Sequence, residues 1–261
     1  RELAFRRGDP HLRFPVVHVA GTKGKGSTSG MIAAVLTASG YRTGLYTSPH
    51  VVCIEERMQI DGRRCGADEF VDLIRRIRPV VDALDGEYEA RGEGKPGPTY
   101  FEITTAAALL HFVRHQVDVA VLEVGLGGRL DSTNICQPEV AVITSISFDH
   151  MRQLGNTLAL IAGEKAGIIK PGVPVVTGVT EPESLDVIRQ TALRHDCECY
   201  RAGQHFDHRY GGTHPPMWES AAPVVWPHGW SEFDYWEDTA GGRYELQGLR
   251  TGLLGRHQAA N

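Results

Sequence analysis

The run His18-Val19-Ala20-Gly21-Thr22-Lys23-Gly24-Lys25-Gly26-Ser27-Thr28 places glycines, a lysine and two hydroxyls in the order that a phosphate cradle needs. An apolar, β-rich stretch from Phe14 to Val19 leads in. A helical pattern with Met31, Ile32, Val35 and Leu36 on one side leads out. Strand, glycine turn and helix together aim free backbone N–H groups and the positive end of a helix dipole at an anion. Lys25 reaches terminal phosphates, and the hydroxyl of Ser27 or Thr28 suits Mg²⁺. Gly26, lying between Lys25 and Ser27, departs from the common G-x-x-x-x-G-K-[ST] spacing. Gly21, Thr22, Gly24, Lys25, Gly26, Ser27 and Thr28 are therefore assigned to a nucleotide; a bland structural turn is the competing reading.

Further chemistry-bearing residues recur where strands end. Ser48 follows the second strand candidate, Glu123 closes the apolar run Val-Asp-Val-Ala-Val-Leu-Glu-Val, and His150 follows a fourth strand. A carboxylate ending such a strand is costly to bury unless it meets a cation, and beside a phosphate cradle Mg²⁺ is its natural partner. The alternative is a carboxylate capping a helix. Lys165 in Glu164-Lys165-Ala166-Gly167 reads by itself as a solvated helix lysine. Thr99 with Glu102 three residues on forms a capping box. Arg129 near Asp131 suggests an ion pair, and Gly125, Gly127 and Gly128 allow a close backbone approach or a turn.

These residues need a scaffold that brings strand ends together. Short apolar runs alternate with helical patterns: strands at 16–20, 43–46, 117–124, 139–146, 173–177 and 198–201, helices at 25–39, 68–84, 101–115, 157–167 and 182–195. That alternation predicts right-handed βαβ units and a mostly parallel sheet with helices on both faces. Ligands then sit beyond the carboxyl ends of the strands, where the motifs fall. Residues 86–98 read as an exposed loop. Residues 203–242 hold all four tryptophans and read as loops with short antiparallel strands, followed by a strand near 243–249. No internal repeat is evident.

Taken in order, the cradle, Thr47-Ser48-Pro49-His50, Glu55-Glu56-Arg57-Met58, Thr99-Tyr100-Phe101-Glu102, Leu122 to Asp131, Thr144 to His150 and Glu164 to Gly172 resemble the folylpolyglutamate synthase/dihydrofolate synthase family, a branch of the Mur ligases. The resemblance covers about residues 14–180 and returns at Gly255-Arg256-His257-Gln258 and Asn261. It implies a P-loop Mur-ligase central domain over 1–261, with the tract 203–254 as a small antiparallel portion. It implies ATP and Mg²⁺ as cofactors, with Ser48, Glu123 and His150 as metal ligands and Asn261 at the nucleotide. Lys25, Lys165 and His150 become the catalytic set, with Lys165 carbamylated as in related ligases. The pterin end of a folate is expected against Thr99, Tyr100, Phe101, Glu102, Leu130, Asp131 and Ser132. The implied reaction is ATP-dependent addition of L-glutamate to a folate or dihydropteroate carboxylate through an acyl phosphate. In the family a second, glutamate-binding domain follows, so this chain alone is expected to bind Mg·ATP weakly and not to ligate. A cell-wall Mur ligase and a non-catalytic nucleotide-binding module are the alternatives.

Composition constrains partners. A net charge of −5 over 261 residues argues against a general nucleic-acid binder, and no apolar run approaches a membrane span. The N-terminal segment lacks the apolar core of a signal peptide. Cys53, Cys65, Cys136, Cys197 and Cys199 are odd in number and lack zinc-knuckle spacing, which predicts reduced thiols without a metal or disulfide role. His205, His208, His214 and His228 read as scattered surface histidines. A cytoplasmic monomer acting on small molecules is the resulting expectation.

Overall fold

The computed structural model describes residues 1–92, 97–215 and 228–260. Its main sheet has eight strands: β1 (Val16–Ala20), β2 (Thr43–Tyr46), β3 (Met58–Ile60), β4 (Arg63–Arg64), β5 (Val119–Glu123), β6 (Val140–Ile143), β7 (Val175–Thr177) and β8 (Cys199–Arg201). They lie in the order β4-β3-β2-β5-β1-β6-β7-β8. The six from β2 to β8 across the sheet pair in parallel, and the β3–β4 hairpin adds an antiparallel edge.

The helices are α1 (Glu2–Phe5), α2 (Lys25–Ala38), α3 (Ala67–Ala90), α4 (Tyr100–Arg114), α5 (Met151–Leu154), α6 (Leu158–Ala166), α7 (Pro182–Arg194) and α8 (Arg256–Ala259). Side chains alternate across β1 and β5. Val19 and Val121 pack with Ala33 of α2 on one face, while Val16, Ala120 and Leu122 pack with α3 and α4 on the other. Farther along, Ile143 and Val175 meet Ala166 of α6 and Ile188 of α7. Central strands buried on both faces explain the nearly unbroken apolar run of β5. From β1 the chain crosses to one side of the sheet, and from β6 onward to the other, so β1 and β6 flank the topological switch point.

The α/β fold matches the sequence expectation, with the β3–β4 hairpin added and three expected segments changed in extent. Helix α3 continues to Ala90, into the segment expected to be a loop. Leu84 and Tyr88, one turn apart, both pack on the core, and Glu87 pairs with Arg6 at 2.7 Å. Second, the tract after Gly203 forms long strands rather than short ones: β9 (Phe206–His214), β10 (Trp230–Thr239) and β11 (Gly242–Thr251), an antiparallel sheet ordered β11-β10-β9. Trp218 and Trp226 lie outside the described residues. Third, β6 stops at Ile143, because Thr144 to Ser147 turn to serve the glycine loop.

Candidate functional site

The glycine loop is held from behind by the segment after β6. Thr22 donates its backbone N–H to the Ser145 carbonyl (2.7 Å), its hydroxyl donates to the Ser147 carbonyl, and it accepts from Ser147 N–H. The Thr144 hydroxyl donates to the Lys23 carbonyl at 2.7 Å. A β-carbon on Gly21 would fall 1.9 Å from the Thr144 hydroxyl oxygen, so only glycine admits this approach. Gly24, with φ of 85°, caps α2 in a left-handed conformation. Lys25 then opens the helix, with Nζ 3.4 Å from the Thr22 carbonyl.

Two ionisable groups are buried against this loop. Glu123 accepts from the Ser48 backbone N–H at 3.0 Å and faces Gly26 at the first turn of α2. Burial raises its carboxyl pKa, opposed by the Ser48 hydrogen bond and the charge of Lys25. Lys165, 4% exposed, donates from Nζ to the Gly21 carbonyl at 2.8 Å. Burial pulls its ammonium down to about 8, and the Lys25 charge adds to the effect. A buried carboxylate beside a phosphate-type loop, in a groove that Ser48 also lines, offers oxygen donors of the hard kind that Mg²⁺ takes.

A cleft of about 870 Å³ joins the candidate residues. Lys25, Ser48 and His150 line it together with Thr99, Phe101, Glu102, Leu130, Asp131 and Ser132. His150 is exposed, with φ of 47°, and its Nε2 lies 3.7 Å from Asp149. Glu123 and Gly26 border an adjoining groove of about 720 Å³ that shares Ser48 and Pro49 with the cleft. Tyr100 stands outside the cleft lining beneath the Arg57 guanidinium, 5.6 Å from its ring centre. Asn261 lies outside the described residues.

Several side chains hold the walls. Thr99 and Glu102 form the expected capping box, with Glu102 Oε2 accepting from Thr99 N and Oγ1 at 2.8 Å each. Asp131 accepts from the backbone N–H of Gly125, Leu126 and Thr133 and from the Thr133 hydroxyl. Burial nevertheless raises its pKa. Arg129 pairs with Glu164 (2.9 Å), not with Asp131 as the spacing suggested. The glycines after β5 admit protein rather than open space: a β-carbon on Gly125 would meet the Phe101 ring at 2.4 Å, and one on Gly128 the Glu164 carbonyl at 2.8 Å.

Sequence reasoning assigned no role to Arg57, which is buried, donates from Nε to His50 Nδ1 at 2.9 Å and lines the cleft. Its signal was its place in the Glu55-Glu56-Arg57-Met58 block of the resemblance. Gln153, also in the lining, carried none, and Glu164 carried only its place in the Glu164–Gly172 block.

Comparison with known proteins bears on the family and the fold. Residues 84–261 match the family model described as Mur ligase middle domain. A dihydrofolate synthase/folylpolyglutamate synthase of Bacillus subtilis (strain 168) is 49% identical over 197 residues, covering 75% of this chain and 44% of that protein. The crystal structure of a folylpolyglutamate synthase from Thermotoga maritima superposes with a TM-score of 0.85 at 32% identity, over 99% of this chain and 54% of that one. A folylpolyglutamate synthase solved as its complex with AMPPCP and folate gives 0.83 at 34% identity, over 99% of this chain and 58% of that one. The chain thus spans about half the length of the relatives it matches.

Proposed function

From a chain that belongs to the Mur ligase family, in its folylpolyglutamate synthase/dihydrofolate synthase branch, we propose that the whole protein is an ATP-dependent, ADP-forming ligase. It joins L-glutamate to the carboxylate of a folate or dihydropteroate through an acyl phosphate. The observation that carries this reading is the single cleft in which the phosphate-loop lysine faces the Thr99–Glu102 and Leu130–Ser132 walls. The solved relative with AMPPCP and folate supports it by analogy.

Backbone N–H groups of the first turn of α2, from Lys25 to Ser27, bind the ATP phosphates, and Lys25 neutralises charge as the terminal phosphoryl moves. Ser48, Glu123 and His150 would hold Mg²⁺, which offsets phosphate charge when bound. Phe101 offers an apolar surface for a flat ring, and Leu130 and Ser132 close the same wall. Lys165, with its ammonium lowered to about 8, keeps a neutral fraction of about a tenth near neutral pH, the form that carbamylation needs. The protein acts on small molecules, as a monomer in the cytoplasm; among the described residues no helix is long and apolar enough to cross a membrane.

The test is glutamate-dependent phosphate release with dihydropteroate or tetrahydrofolate, comparing this chain with one extended as far as its relatives. Expected is turnover by the extended chain and weak Mg·ATP binding without turnover by residues 1–261, since acyl-phosphate chemistry needs a closed, dry site. An inactive extended chain would overturn the ligase reading.

A further inference from the structure

A second cluster of ligand-type side chains lies away from the cleft, where the start of α3 meets the end of α4. Cys65, just before α3, is 3% exposed. Its Sγ lies 3.8 Å from His111 Nδ1, which lies 3.2 Å from Glu69 Oε1. The same Glu69 oxygen lies 2.7 Å from His115 Nε2. Ligand atoms of Cys65, Glu69 and His111 all fall within 4.8 Å of one another. Four-coordinate zinc with bonds of about 2.0–2.3 Å spaces its ligand atoms about 3.3–3.7 Å apart. The 3.8 and 3.2 Å separations are close to that spacing.

We propose that Cys65, Glu69 and His111 form a structural site for a zinc-class divalent metal, stapling α3 to α4, with His115 steadying the Glu69 carboxylate from behind. The charge balances: one thiolate and one carboxylate supply two negative charges, one neutral imidazole supplies a lone pair, and the fourth position is open to water. Sulfur and imidazole ligands select zinc over Mg²⁺, so the site is chemically distinct from the oxygen-rich set at the cleft. It is also separate in space, since Thr99 and Glu102 at the cleft stand about 13–24 Å along α4 from His111 and His115.

The surroundings are compatible. Arg114, 3.7 Å from Glu69 Oε1, makes its shorter bond to Asp72 at 2.8 Å. Glu69 and His115 are partly exposed, which leaves an entry path. Without metal, burial and the charges of Glu69 and Glu55 push the Cys65 thiol up to about 12, and burial lowers the His111 pKa. Coordination then forms the metal–sulfur bond and releases the thiol proton to solvent. The cluster escaped sequence reasoning because its ligands arrive from two helices more than forty residues apart, with no Cys-x-x-Cys spacing.

Cobalt(II) titration of the chelator-stripped chain, followed by displacement with zinc, tests the site. Expected are one equivalent bound, a thiolate-to-cobalt charge-transfer band, and a zinc-induced rise in melting temperature. Cys65→Ser should remove the band, and His115→Gln, at a half-exposed position, should weaken binding at least about tenfold. No uptake by the parent chain would overturn the proposal. So would a band that survives Cys65→Ser, or affinity unchanged in His115→Gln; the cluster would then be a hydrogen-bonded helix clamp.

Discussion

The cleft edge of the main sheet and the three-stranded sheet β9–β11 treat charge in opposite ways. On β9–β11 the charged side chains are mostly exposed and paired with each other: Arg209 with Asp234 at 2.6 Å, Arg243 with Asp238 at 2.9 Å, Arg250 with Glu232 at 3.3 Å. Arg243 and Arg250 also lie over the Trp236 and Trp230 rings. At the cleft, Lys165 and Glu123 are buried and displaced from their ordinary pKa values in the direction that disfavours charge. Lys25 and Lys165 crowd the same loop instead of seeking carboxylates. A surface that satisfies its own charges needs no ligand. One that buries charge against an open glycine loop is completed by an anion and a cation from outside.

Three substitutions test that contrast. The largest effect is expected from Lys25→Ala. Losing a charge-assisted phosphate contact of about 1.5–3 kcal/mol should weaken ATP binding about 10–100-fold by calorimetry, with the melting temperature preserved. Unchanged affinity would remove the distinction between the two regions.

Glu123→Gln comes next. Nucleotide binding should stop responding to Mg²⁺, while the ligand-free protein melts no lower than its parent. The sign follows from the raised carboxyl pKa. The folded state holds the Glu123 proton more tightly than the unfolded chain does, so ligand-free stability falls as pH rises from the unfolded value of about 4.3 through the folded one. The variant should lack that fall in thermal melts across the same range. A variant that unfolds, or that keeps its Mg²⁺ response, would make Glu123 a structural group.

The smallest effect is expected from Arg243→Ala, which removes an exposed pair from β11. Its melting temperature should match the parent within replicate error. A clear destabilisation would mean that the charges of β9–β11 matter to folding as much as those at the cleft.

Much of the fold was legible because its signals are local. The glycine loop, the apolar run of β5 and the capping box at Thr99 each announce an element and its boundary. What escaped depends on distant partners. The β3–β4 hairpin is too short for periodicity, and the sequence predicts antiparallel strands after Gly203 but not the full length of β9 and β10. Arg57 belongs to the cleft only because a turn lays it over Tyr100. The resemblance implies a binding role for Asp131, and its carboxylate is engaged by four donors of its own loop. Sequence gives the residue type at a strand end; only the packed structure gives the partners it already has.

The pairing of β5 with its neighbours has a consequence for how this chain tolerates insertion and deletion. Glu123 lies opposite Val19, and Leu122 opposite both His18 and Tyr46. Odd and even positions of β5 serve different masters: Val121 and Glu123 look toward α2, Ala120 and Leu122 toward α3 and α4. Losing one residue between Gln116 and Glu123 would exchange those parities and turn the carboxylate from the glycine loop into the apolar layer around Tyr46 and Phe112. Chemistry at the end of this strand is therefore written in a two-letter frame. Substitutions within the frame can be graded, whereas a single-codon deletion should act as a frameshift in space.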